Sequence, residues 1–333
     1  MNYEEFIEYV KENLAACYKD IILTEEIDNN GLHKEGQQKE LDKCEVVVQK
    51  VVKNNGIQLD AVSIYEEGER VSPNIYLKPF YDSYMMGKPL DFVMTEIVFR
   101  YRNEKAETDF DYIDLNEYDE IKNDIVLRLI NYERNKDMLE GCPYIKYLDL
   151  AISFRYVIKE SALGLASILI TNREFERWKI SVDELYRKAL SNSMQKYPWC
   201  MEPLSKLVLE CFDDRIKNEL NQEIVDVLQS NDNLDLGVNL YVMTNRTKAF
   251  GAGCILYDDV ISNFARVQEA NVFILPSSVH EVMLLPEEDD ISAQFLLELL
   301  TEANRSSVGL IDLLSDNIYY YDRNADEITI CNV

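Results

Sequence analysis

The sequence predicts an α+β protein in which mixed, largely antiparallel sheets pack with helices, in two domains: residues 1–108 and residues 109–333. Three observations carry that reading. Two β-branched runs flank Asn55-Gly56, a pair suited to a two-residue hairpin turn. Blocks of apolar residues recur at helical spacing before and after it. A meander of strand-like segments, IVLRLINYERN, YIKYLDLAISFRYVI and LGLASILITN, follows an acidic interval at 103–124.

In chain order, Tyr3, Phe6, Ile7, Val10 and Leu14 mark an amphipathic opening helix over residues 2 to about 16. Residues 17–44 then read as a polar connection containing His33, a surface residue with no second metal ligand at useful spacing. The hairpin at 46–65 follows, and counting outward from Asn55-Gly56 sets Val52 opposite Leu59, Val48 opposite Ser63 and Val46 opposite Tyr65. Gly87 separates two helices, the second opening near Pro89 with Leu90, Val93, Ile97 and Tyr101 as its stripe. Tyr76, Phe80, Tyr81, Tyr84, Met85 and Met86 read as core packing rather than a ligand cage.

In the meander, Leu148, Leu150, Ile152, Phe154 and Tyr156 are expected on one face of a single strand, with Tyr147, Asp149, Ala151, Ser153 and Arg155 on the other. Asp149 and Arg155 could join Arg128 and Asn131 or Glu133 in a charged network. A carboxylate flanked by arginines stays ionised, which suits anchoring a ligand better than accepting a proton, and structural ion pairing is the expected reading. Ser181 with Glu184 opens a further helix through a capping box, and two more helices are expected after Pro203 and Asp213.

Composition narrows the function classes. Thirty-four basic against 61 acidic residues give a formal charge of -27, which disfavours direct binding to nucleic acid or to anionic membrane surfaces. Seven cysteines, never in a C-x-x-C spacing, indicate a reducing compartment. No secretory signal and no apolar run of membrane-spanning length is present, so a cytoplasmic protein is expected.

If the chain has a chemical site, it lies between Val238 and Pro286, which reads as strand, glycine turn, helix, strand, polar loop and strand. Thr244 and Asn245 end the first strand before R-T-K-A-F-G-A-G. Backbone amides of such a loop can hold an anion, but the spacing matches neither phosphate-loop pattern, so tight strand-to-helix packing at Gly251 is the expected reading. Ser277, Ser278, His280 and Glu281 form the later loop. Ser278 and His280 share a face if extended, about 6.5 Å apart at the backbone, which is wide for a proton relay. His280 and Glu281 point to opposite faces, and no metal site or cofactor is expected; His280 reads most simply as tying the loop to backbone carbonyls.

The runs N-I-Y-L-K-P-F-Y-D-S-Y from Asn74, L-I-N-Y-E-R-N-K from Leu129, Y-L-D-L-A-I from Tyr147, Y-V-M-T-N from Tyr241, I-L-P-S-S-V-H-E-V from Ile274 and S-D-N-I-Y-Y-Y-D from Ser315 resemble an uncharacterised family of low-GC Gram-positive anaerobic bacteria. The resemblance spans nearly the whole chain and implies a stand-alone bacterial protein with no assigned reaction, cofactor or catalytic residue. Two expectations follow: a non-enzymatic protein acting through protein–protein contacts, or an enzyme or small-ligand binder using residues 277–281 with Thr244 and Asn245.

Overall fold

The opening helix α1 runs over Tyr3–Asn30, beyond its expected end near residue 16. Its buried stripe does not stop at Leu14: Phe6, Val10, Leu14 and Tyr18 follow one another at i+4 and are all buried, and no proline or glycine interrupts them. The computed structural model describes residues 1–30, 44–67, 72–107, 115–161, 164–211, 239–288 and 291–331. His33 and the helix expected after Asp213 lie outside the described residues.

The chain is α+β, and it divides into two units: residues 1–53 with 57–114, and residues 54–56 with 115–333. In the first, β1 (Glu45–Val52) and β2 (Gln58–Tyr65) form the hairpin, and β3 (Ile75–Tyr76) adds to β2. Its register differs by one residue from the two-residue turn. Lys53 N donates to Ile57 O, leaving a three-residue loop in which Asn55 and Gly56 both have positive φ. Val46 therefore faces Ile64 and Val48 faces Val62. The shifted register puts four aliphatic side chains on the face that packs on α1, where the two-residue turn would have set Val48 beside Ser63.

Helix α2 (Lys78–Met85) and helix α3 (Leu90–Glu107) follow, separated by Gly87 at φ 98. Val93, Ile97 and Tyr101 are fully buried, and Tyr101 OH donates to Ile64 O. Phe80, Tyr81 and Tyr84 pack on this core as expected. Met85 and Met86 do not: they are 61% and 86% exposed. They occupy the end of α2, where the chain turns away at Gly87, and among the described residues they are left largely uncovered.

In the second unit, short helices α4 (Tyr118–Ile121) and α5 (Lys136–Leu139) flank β4 (Ile125–Asn131). The segment expected as one strand is a hairpin, β5 (Tyr144–Tyr147) and β6 (Leu150–Ser161), turning through Leu148 at φ 54. β7 (Gly164–Leu169) pairs with the far half of β6. Helix α6 (Asn172–Trp178) opens on a Thr171–Glu174 capping box; α7 (Val182–Lys196) is capped by Ser181, whose oxygen accepts from Glu184 N. β8 (Trp199–Pro203), α8 (Leu204–Cys211), β9 (Tyr241–Asn245), a 3-10 turn (Gly251–Leu256), α9 (Val260–Gln268), β10 (Val272–Leu275), β11 (Val282–Pro286), α10 (Ala293–Ser306), β12 (Tyr319–Asp322) and β13 (Glu327–Ile330) complete the order.

The later strands form one antiparallel sheet in the order β13-β12-β10-β11-β9-β8. Strict alternation divides its side chains. Ile274, Val282, Leu284 and Tyr319 face a large core shared with Leu127, Leu129, Ile152 and Phe154 of the β4–β6 sheet, whereas Phe273, Leu275 and Leu285 face Leu296 and Leu300 of α10.

Among the described residues, two cysteines of this unit, Cys142 and Cys254, are buried. Burial pushes the Cys142 thiol up to about 11, the Arg155 charge opposing the rise, and burial likewise pushes Cys254 up to about 12. Both stay protonated and enclosed near neutral pH, so neither is a nucleophile. Iodoacetamide treatment of the folded protein near neutral pH, read by peptide mass spectrometry, should leave Cys142 and Cys254 unmodified while the partly exposed Cys17, Cys44, Cys200 and Cys331 are alkylated.

Candidate functional site

The centre of the expected site is a point of very close backbone approach. Thr244, at the end of β9, turns its Oγ1 to donate to the His280 carbonyl at 2.7 Å. Gly251 lies against that bond: a Cβ built there would stand 2.2 Å from Thr244 Oγ1 and 2.3 Å from the His280 carbonyl oxygen. The glycine is required by space, and no amide cradle for an anion is needed to explain it.

Asn245 is 2% exposed and spends both ends of its amide on the following turn. Its Nδ2 donates to Ala249 O at 2.7 Å, and its Oδ1 accepts from Thr247 N, Thr247 Oγ1 and Ala249 N. Asn245 thereby holds the turn that carries Phe250, at φ 57, into the glycine contact.

Residues 277–281 are equally committed. Leu314 N donates to Ser277 O, Val279 N donates to Asp312 O, and Ala252 N donates to Val279 O. Ser278 Oγ accepts from the backbone N–H of His280 at 3.1 Å, and among the described residues it makes no hydrogen bond to the imidazole. His280 does not tie the loop to carbonyls through its ring. Its Nε2 lies 3.2 Å from Asp312 Oδ1, and the ring stands roughly parallel to Phe250. Glu281 is exposed to solvent.

Asp149 and Arg155 are not brought into this cluster as a pair. The turn at Leu148 takes Asp149 out of the strand, so it cannot share a face with Arg155 and Ser153. Its carboxylate instead accepts from Ser315 Oγ at 2.6 Å, Asn317 Nδ2 at 2.9 Å and Tyr319 OH at 2.6 Å. Burial, reinforced by the Asp149 charge, drives the Tyr319 hydroxyl far above the usual tyrosine range, so it remains a donor. Asn131 and Glu133 also go elsewhere, Asn131 to Leu314 O and Glu133 to Lys136. Arg155 binds Ser167 through Nε and Nη2, at 2.8 and 2.9 Å.

Sequence reasoning named Arg128 for a network with Asp149 and Arg155, but missed Phe250 and Asp312 and the place of Arg128 near His280. Arg128, alone among the apolar residues of β4, places its guanidinium 4.7 Å from the centre of the Phe250 ring. Burial, with Arg155 adding to the effect and Asp312 opposing it, lowers Arg128 to about 9, which still leaves it cationic at neutral pH. Arg155 is lowered to about 10 by burial, with Cys142 opposing. The only sequence signal for this arrangement was a charged residue inside I-V-L-R-L-I-N; nothing in F-G-A-G announced an aromatic platform.

Among the described residues no three His, Cys, Asp or Glu side chains converge as a metal site, and no helix is long and apolar enough to cross a membrane. A groove of about 1200 Å³ opens elsewhere, lined by residues including Lys122, Arg177, Trp178 and Arg187, and none of the expected site residues reaches it.

The model of a family of unknown function, DUF5688, matches residues 3–323. The chain belongs to that family. No curated protein and no solved structure matches this DUF5688 chain.

Two substitutions test the structural roles assigned in this DUF5688 protein. Asp149→Ala strands the buried Tyr319 hydroxyl and should cost about 3 kcal/mol, seen as a lowered urea midpoint. Gly251→Ala forces a methyl group into Thr244 and the His280 carbonyl and should cost at least roughly 3 kcal/mol by the same measurement.

Proposed function

We propose that the protein is a non-enzymatic bacterial cytoplasmic protein that acts through contacts with a protein partner. The observation that carries this reading is the outer surface of α2 and α3. Met85, Met86, Phe92 and Phe99 are 61%, 86%, 53% and 45% exposed, in a chain whose other large side chains from this segment are packed. Methionine and phenylalanine left open in this way are enriched at protein interfaces, and their exposure is costly without a use. Phe99 also borders a groove of about 520 Å³ between α1 and α3, whose lining includes Tyr9, Cys17, Ile21 and Met94.

The acidic composition supports a protein partner over a nucleic acid or a lipid surface, since phosphate-rich polymers are repelled by a formal charge of -27. The alternative, an enzyme or ligand binder built on residues 277–281 with Thr244 and Asn245, has less support. The Thr244 and Ser278 hydroxyls and the Asn245 amide are committed to the fold.

The test joins a binding assay to an activity screen. Cross-linking in native cells should capture a partner with the wild-type chain and lose it with Phe92→Ser/Phe99→Ser, while the melting temperature stays within a few degrees of wild type. Reproducible turnover in hydrolase or phosphatase screens, abolished by His280→Ala, would overturn the reading.

A further inference from the structure

The β4–β6 sheet carries two arginines on one face, Arg128 and Arg155, in a protein with a large excess of carboxylates. Neither forms an ion pair among the described residues. Arg155 is satisfied through its two bonds to Ser167. Arg128 has no hydrogen-bond acceptor for any of its three nitrogens among the described residues, and its Nε is sealed from solvent without a partner. His280 Nδ1, on the neighbouring ring, is likewise enclosed and unpartnered.

Two unpartnered polar atoms in one cluster are unusual, because a buried donor without an acceptor is costly and a guanidinium without a counter-charge more so. The geometry suits reception of a charge. The Phe250 ring centre lies 4.7 Å from the guanidinium carbon, and the two terminal nitrogens stay outside the sealed set as a fork. Asp312, the nearby carboxylate, is engaged by His280 Nε2 and does not pair with Arg128.

We propose that Arg128 receives a small oxyanion, the phosphate or carboxylate group of a ligand, on a platform made by Phe250 with the His280–Asp312 pair beside it. This site is independent of the apolar surface of α2 and α3, and either can fail without the other. A planar fork meets two oxygens of one group at once, which sets this arginine apart from one that only balances surface charge. Arg155, on the same face, adds positive potential without being consumed by the contact.

Calorimetric titration and thermal melts of the full chain with inorganic phosphate, and separately with succinate, test the proposal, with ionic strength held constant by chloride. A melting temperature that rises with one of the anions is expected, and the anion that produces it identifies the ligand group. Arg128→Gln should weaken that binding by at least about tenfold, the loss of one charge-assisted bidentate contact, while Arg134→Gln leaves it unchanged. Absence of binding by both anions, or equal affinity in a folded Arg128→Gln protein, overturns the assignment. If Arg128→Gln fails to fold, phenylglyoxal modification of the wild-type chain decides: the bound anion should slow labelling of Arg128, and an unchanged labelling rate at saturation overturns it.

Discussion

The second unit depends on one close approach, that of Gly251 to the bond between Thr244 Oγ1 and the His280 carbonyl. Three separate pieces of chain meet there: the end of β9, the 3-10 turn that follows it, and the loop entering β11. Because β9 and β11 are neighbours in the six-stranded sheet, the contact locks their ends together and sets where the turn lies over β4. Side chains nearby are chosen to maintain that approach. Asn245 shapes the turn with four hydrogen bonds, and Cys254 fills the space beneath without ionising.

A second anchor works at the opposite end of the loop system. Asp149 gathers Ser315, Asn317 and Tyr319, so the turn between β5 and β6 holds the entry to β12. A carboxylate with three donors is well compensated despite partial burial, and it is worth more as a clamp than as a base. Together the two anchors account for many of the serine, threonine and asparagine side chains of these loops. Their polar atoms are the hydrogen-bond partners of backbone that runs irregularly through a buried region, where every N–H and C=O needs one.

Charge is distributed unevenly over this frame. Acidic side chains dominate the exterior, yet the arginines of β4 and β6 are placed inward, one satisfied by serine and the other resting on phenylalanine. Such an arrangement is costly unless it is used. It stands apart from the surface ion pairs elsewhere, such as Lys88 with Glu96, which are exposed and contribute little.

The amino-acid sequence by itself determined the α+β class, the helix stripes such as Val93, Ile97 and Tyr101, the Ser181 cap and the layout from β9 to β11. Each of these follows from local periodicity, capping or turn chemistry, which act between residues close in the chain. The register of the first hairpin, the turn at Leu148 and the neighbours of His280 were decided by tertiary structure. Leucine at positive φ carries no local signal, since the turn ordinarily takes glycine or asparagine there, and here its side chain packs against the large core. Likewise, Arg128, Phe250, His280 and Asp312 come from four elements far apart in the chain, and their meeting is a consequence of how the two sheets pack, which no local pattern encodes.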